Sequence, residues 1–269
     1  MIVDSSQTPN DFQGVLKHWR NFRKMSQLDL ALAADVSQRH VSWLETGRSQ
    51  PSREMVLRLS EAMEVPLRDR NQILNSAGFA GMFSEKGLDE PSMTPVMNVL
   101  NDMLEHHEPF PAMVLDRMWN VKMKNNAADI LFEVTGDPNE LWEAVGDNGE
   151  HNIALLTLHP KGLRQFISNW DTVGGAFARR LKREAMDSGD ADVIAKFEEL
   201  EQFIDDFEEE AAPPSLLPIL PLEFAFGDFK LSLFSVISTF GTAQDITTDE
   251  LRIETFYPTD EQTTKYFTE

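Results

Sequence analysis

The sequence predicts two domains of different class: an all-α domain of five helices over residues 1–80, and an α+β domain with an antiparallel sheet over 93–269. Three observations carry this division. Apolar residues recur at helical spacing through the first eighty positions. The last third alternates apolar with polar residues, as half-buried strands do. Charge is also split unevenly, for residues 1–80 carry ten Lys/Arg and nine Asp/Glu, whereas the remaining 189 carry 14 and 36. The net charge of −21 thus belongs almost entirely to the second part, which a polyanion would repel.

Caps and stripes define the five helices. Phe12, Val15, Leu16, Trp19 and Phe22 give the first helix one apolar face. Ser26 caps a second, from Gln27 to Ala34, and Ser37 caps a third, through Val41 and Leu44 to Glu45, with Gly47 closing it. Pro51-Ser52 opens a fourth, with Met55, Val56, Leu59 and Met63 on one face. Pro66 separates a fifth, which holds Ile73, Leu74 and Ala77 and is closed by Gly78. Residues 81–92 mix Gly, Ser, Pro and charges and form the linker. An amphipathic helix follows over 93–106 (Val96, Leu100, Met103, Leu104). Strands are expected at 112–116 and 119–124, then helices at 126–133, 153–167, 170–185 and 191–210. Further strands are expected at 222–226, 229–240 and 251–257. Helices followed by strands after a small all-α unit imply an α+β second domain.

The run from Ser26 to Gly47 places two short helices on a shared apolar face of Leu30, Ala31, Val36, Val41 and Leu44. Ala31 falls where the helices cross, and only a small side chain lets them approach. Over about 70 residues this resembles the lambda-repressor (XRE) helix-turn-helix family, in which a short rigid helix enters the major groove of double-stranded DNA. The resemblance implies that Gln27 contacts a phosphate and that Gln38 and Arg39, in the first turn of the recognition helix, read bases. Glutamine suits adenine and arginine suits guanine. Ser37, His40, Ser42 and Trp43 are further candidates, and Arg48 is a phosphate contact. Arg20 and Glu45 match a buried pair that ties the first helix to the third. A homodimer on a near-palindromic operator is expected, with half-sites about 34 Å, or a multiple of it, apart.

A second resemblance rests on Val114-Leu115-Asp116-Arg117-Met118-Trp119-Asn120-Val121 and Asn125-Asn126-Ala127-Ala128. It continues through His151-Asn152-Ile153-Ala154-Leu155-Leu156, His159-Pro160-Lys161-Gly162-Leu163-Arg164, Asn169-Trp170, the run Arg179 to Glu184, and the region from Phe234 to Glu254. These residues resemble the ligand-binding domain of the MmyB-like transcription regulators, which has a PAS-like fold. The resemblance implies dimerisation and a pocket for a small, apolar or fatty-acid-like ligand. Trp119, Phe132, Trp170, Phe177, Phe226 and Phe234 are its candidate lining, although any one aromatic is more often plain core.

Other chemistries find little support. There is no cysteine, so thiolate nucleophiles and cysteine-held metals are excluded. His106-His107-Glu108 lacks the second histidine of a zinc-protease helix. His159 reads as a loop histidine holding a backbone group. No Ser/His/Asp order or phosphate-cradling loop is evident, and Gly174-Gly175 is too short to count. Residues 184–210 hold twelve acids against Lys196 alone, without calcium-loop spacing, and read as a solvated face or a segment ending at Ala211-Ala212-Pro213-Pro214. The start lacks a signal-peptide pattern and no stretch approaches ~18 apolar residues, so a cytoplasmic protein without a membrane anchor is expected. The expected function is a ligand-responsive transcription regulator, not an enzyme, with no cofactor. The competing readings are an enzyme domain carrying a DNA anchor, and a repressor whose second domain only dimerises or binds a protein.

Overall fold

The computed structural model describes residues 11–204 and 219–269. The chain divides into two compact units, one ending at Lys86 and taking in Thr242–Asp249, the other made of Gly87–Gly241 and Glu250–Glu269. The first boundary falls inside the 81–92 stretch.

The first unit holds the five helices: α1 (Phe12–Phe22), α2 (Gln27–Ala33), α3 (Gln38–Glu45), α4 (Arg53–Ala62) and α5 (Leu67–Ser76). Serine caps start three of them. Ser26, Ser37 and Ser52 accept hydrogen bonds from the backbone N–H of Asp29, His40 and Met55 at 3.1, 3.2 and 3.2 Å. At Ser26 the cap is reciprocal, because Asp29 accepts from the Ser26 N–H at 2.8 Å. The Ser26 hydroxyl, then its amide, hold the Asp29 carboxyl below its usual range. The core buries Leu16, Leu30, Val41, Leu44, Val56 and Leu59 completely or nearly so. Between α2 and α3 the chain reverses through Asp35 at φ 51°, a left-handed conformation that aspartate tolerates better than most residues.

Thr242–Asp249 joins this unit although it lies far along the chain, an association that periodicity does not reveal. Ile246 is buried and its N–H donates to the Ser84 carbonyl at 2.8 Å. The Ser84 hydroxyl donates to Asp245 at 2.7 Å, and the Leu67 N–H, in the first turn of α5, to Asp249 at 3.4 Å.

The second unit begins with α6 (Thr94–His106), β1 (Ala112–Leu115), β2 (Val121–Lys124), α7 (Asn126–Glu133), α8 (Pro138–Ala144) and α9 (Ile153–Leu158). It continues through α10 (Trp170–Ser188), α11 (Ala191–Glu201), β3 (Leu222–Phe226) and β4 (Phe229–Thr239). The chain then forms α12 (Ile246–Glu250), most of which belongs to the first unit, and returns as β5 (Arg252–Pro258) and α13 (Glu261–Thr268). The five strands form one antiparallel sheet in the order β2-β1-β5-β4-β3. Both faces of the central strand β5 are covered. Leu251 and Ile253 meet Leu100 and Leu104 of α6 on one side, while Phe256 faces the main core under α7, α9 and α10 on the other.

Several expected boundaries shift for physical reasons. The helix expected over 153–167 stops at Leu158, because Pro160 follows and Gly162 packs where a Cβ would lie 2.0 Å from the Leu156 carbonyl oxygen. A separate 3₁₀ turn covers Leu163–Phe166. The helix expected over 191–210 ends at Glu201, and residues 205–210 and Ala211-Ala212-Pro213-Pro214 lie outside the described residues. The strand expected from 119 begins at Val121, since Trp119 occupies the turn before it. Helices α8 and α13 were not expected; each is short and capped by an aspartate, Asp137 or Asp260.

Candidate functional site

The third helix presents a polar face on a buried apolar one. Val41 and Leu44 are fully buried, and Ser37, Gln38, Arg39 and Arg48 are exposed, with His40, Ser42 and Trp43 half-buried beside them. The Arg39 guanidinium lies over the Trp43 ring, 4.4 Å from its centroid. This i,i+4 stacking limits the rotamers of a long side chain before any partner arrives, which lowers the entropy cost of a contact.

A buried ion pair anchors α3 to α1. Arg20 Nε and Nη2 donate to Glu45 Oε1 and Oε2 at 2.6 and 3.1 Å, and Arg20 Nη1 donates to the Met25 carbonyl at 2.7 Å. The side chains are 10% and 4% exposed, so this is a structural pair, as its sequence position implied. The Gln27 amide, expected to face a phosphate, donates to Glu45 Oε2 at 2.7 Å and is engaged within the unit.

The second unit contains a cavity of about 220 Å³ between the sheet and the helices. Four of the expected aromatics line it: Trp119, Phe132, Trp170 and Phe177. Two do not, and the period of the strand explains one of them. Along β4, Leu231, Leu233, Ser235 and Ile237 point to the cavity side, so Phe234 points to the other face and stacks on Tyr257 at 5.4 Å. Phe226 lies at the end of β3, past the cavity, where it packs between Phe166 and Phe229. Sequence reasoning also missed the polar lining, namely Thr157, Arg180, Ser235 and Glu254. For Glu254 no local signal exists, because Arg252 and Thr255 near it are polar and only its pairing between Met113 and Ile237 sets it in the interior.

The motif around Trp119 shapes one wall. Trp119 sits at φ 69°, a conformation that costs a bulky L-residue about 1–2 kcal/mol. Asp116 holds that turn by accepting from the Met118 and Asn120 N–H groups, both at 2.9 Å, and from the Asn120 amide at 3.0 Å. Asn152 donates to the Met118 carbonyl at 2.6 Å and to Asn120 at 2.9 Å, while its oxygen caps α9. The indole therefore meets Phe177 edge-on at 5.6 Å, under the Arg180 guanidinium at 4.9 Å. Asn125 plays a similar part, capping α7 and accepting from the Ala112 N–H at 2.9 Å.

The remaining polar clusters are structural. His159 Nδ1 accepts from the Lys161 N–H at 3.1 Å, the loop role expected of it; burial, then the nearby Lys161 charge, lower its pKa. His107 Nε2 contacts the Phe256 carbonyl at 2.8 Å. In the acidic run, Asp190 caps α11 and pairs with Arg117. Among the described residues no group of three His, Asp or Glu could hold a metal, and no helix is long and apolar enough to cross a membrane.

The first unit thus carries an exposed polar helix face on a capped helix-turn-helix, and the second a cavity walled mainly by apolar side chains. A family model of the MmyB-like transcription regulator ligand binding domain matches residues 96–269, and a helix-turn-helix model matches residues 16–69. The chain belongs to the MmyB-like transcription regulators and is a DNA-binding regulator of the helix-turn-helix class. No curated protein matches the chain.

Proposed function

We propose that this regulator binds a near-palindromic operator as a homodimer and that a small apolar or fatty-acid-like molecule in the cavity changes its operator affinity. It acts by binding, not by turnover. The observation that carries this reading is the cavity itself, walled by Trp119, Phe132, Trp170 and Phe177 in the same chain as an exposed recognition helix. A cavity of about 150 Å³ lined by apolar groups stays dry and admits benzene. The one here is larger, at about 220 Å³, and its aromatic walls favour an apolar guest. Gln38 and Arg39 are the proposed base readers, supported by Ser37, His40, Ser42 and Trp43, with Arg48 on phosphate. Coupling requires that the guest bind the DNA-competent and DNA-incompetent states unequally. Strands β4 and β5 both line the cavity, and the chain between them supplies Thr242–Asp249 to the first unit. That continuous stretch of backbone is the proposed route.

Native mass spectrometry of the purified full chain, alone and after addition of decanol or decanoate, tests this reading. The expected species is a dimer that holds one small molecule per chain. Ala176→Trp fills the cavity and is expected to leave the dimer empty. A stable monomer would overturn the dimeric assignment. A dimer that never takes up any compound would leave the second domain as a dimerisation or protein-binding module.

A further inference from the structure

Glu254 is a carboxylic acid set in the wall of a largely apolar cavity and only 6% exposed. Its strand neighbours offer no charge, because Met113 on β1 and Ile237 on β4 are its register partners. Ser235, on the neighbouring strand β4, lines the same wall. Charged groups approach from two elements only among the described residues: Arg180 and Glu184 on α10, and Arg252 on its own strand. Burial pushes the Glu254 carboxyl up; the Ser235 hydroxyl and the Arg180 charge pull against this, Glu184 adds to it and Arg252 opposes it.

The charges in this corner form a short sum. Arg180 Nε donates to Glu184 Oε1 at 2.9 Å, and Arg252 Nη1 pairs with Glu184 Oε2, so two cations share one carboxylate. Both guanidinium groups lie over Trp119, at 4.9 and 5.8 Å from the ring. An ionised Glu254 balances the cluster. A protonated Glu254 leaves one positive charge in excess, with Arg180 in the cavity wall. A monoanionic head group beside Arg180 would restore the balance, but it would also meet an ionised Glu254 in the same wall, and like charges at close range oppose each other.

We propose that Glu254 is the specificity-determining group of the cavity: with its carboxyl protonated, the cavity holds an amphiphile whose anionic head lies beside Arg180, and with it ionised the same head is refused. The proposal rests on the reading of the cavity as a ligand site and adds the class of ligand and a proton linkage. Binding of such an anion favours the protonated carboxyl. Its affinity is therefore full below the carboxyl's pKa in the free protein and falls about tenfold per pH unit above it. A neutral head carries no such dependence.

The test is calorimetric titration of the delipidated full chain with decanesulfonate, whose charge is fixed, and with decanol, from about pH 5 to about pH 9. The wild type is expected to lose decanesulfonate affinity about tenfold per unit over part of that range while decanol binding stays flat. Glu254→Gln mimics the protonated acid and is expected to bind decanesulfonate at every pH alike. Arg180→Gln is expected to lose decanesulfonate and keep decanol, and decanol binding reports that each variant has folded. A pH-independent decanesulfonate affinity in the wild type, or the same slope in Glu254→Gln, would overturn the proposal. Binding of decanol without decanesulfonate at any pH would overturn it too and leave the apolar cavity site standing. Binding of neither would remove both.

Discussion

Arg20→Ala is expected to destabilise the N-terminal unit by about 3–5 kcal/mol, the cost of leaving a buried carboxylate without its partner. Glu45 is 4% exposed, and after the substitution only the Gln27 amide faces it. The Met25 carbonyl loses its donor at the same time. Glu45 sits in the last turn of α3, so the helix that carries Gln38 and Arg39 should loosen from α1 before anything else does. Hydrogen exchange of the α3 amides in the full chain reads this directly. The surface pair Arg58–Glu54, at 3.3 Å with side chains 45% and 84% exposed, supplies the contrast. Arg58→Ala should change stability by no more than about 0.5 kcal/mol. Removing both Arg20 and Glu45 should recover part of the loss, because the stranded charge goes with its partner. Unchanged α3 protection in Arg20→Ala would sink the anchoring role.

Arg39→Ala is expected to weaken binding to the preferred operator by about 1–3 kcal/mol while leaving random DNA nearly unaffected. The preferred operator is first selected from a random pool with the wild-type chain. The guanidinium is exposed, charged and pre-set over Trp43, so its loss costs the proposed bidentate base contact and little of the fold. Trp43→Ala should lose a smaller part of the same discrimination by freeing the arginine. Arg48→Ala should act differently, lowering affinity for all sequences alike and reducing the salt slope by about 1. Equal losses on selected and random DNA for both arginines would mean that the reader has been misassigned.

Much of this was legible in the sequence because local rules and tertiary packing agree in the first unit. The serine caps, the buried Ala31 and the Gly47 stop each act within a few residues, so α1 to α5 and the exposed face of α3 follow from spacing. The cavity was legible at Trp119, Phe132, Trp170 and Phe177, three of which lie on helices and one in a turn. Phe234 misled because aromatic content was counted without its parity: Leu233 and Ser235 face the cavity, so Phe234 cannot. The Gln27 bond to Glu45, 18 residues away, is a further contact that spacing does not reveal. Glu254, Ser235 and Arg180 meet only through sheet register and the packing of α10, which no local pattern encodes. The attachment of Thr242–Asp249 to the first unit is of the same kind, a long-range contact made by the short segment that leads into α12 and its first turn.

The measurement that bears most directly on ligand-controlled DNA binding is titration of the selected operator with delipidated full chain, with and without a panel of decanol, decanoate and longer alkyl acids and alcohols. At least one compound is expected to shift operator affinity on the order of fivefold or more. Ala176→Trp, with its cavity filled, should bind the operator with unshifted affinity whatever is added. Operator affinity that no compound in the panel changes, in a wild type indistinguishable from Ala176→Trp, would contradict it.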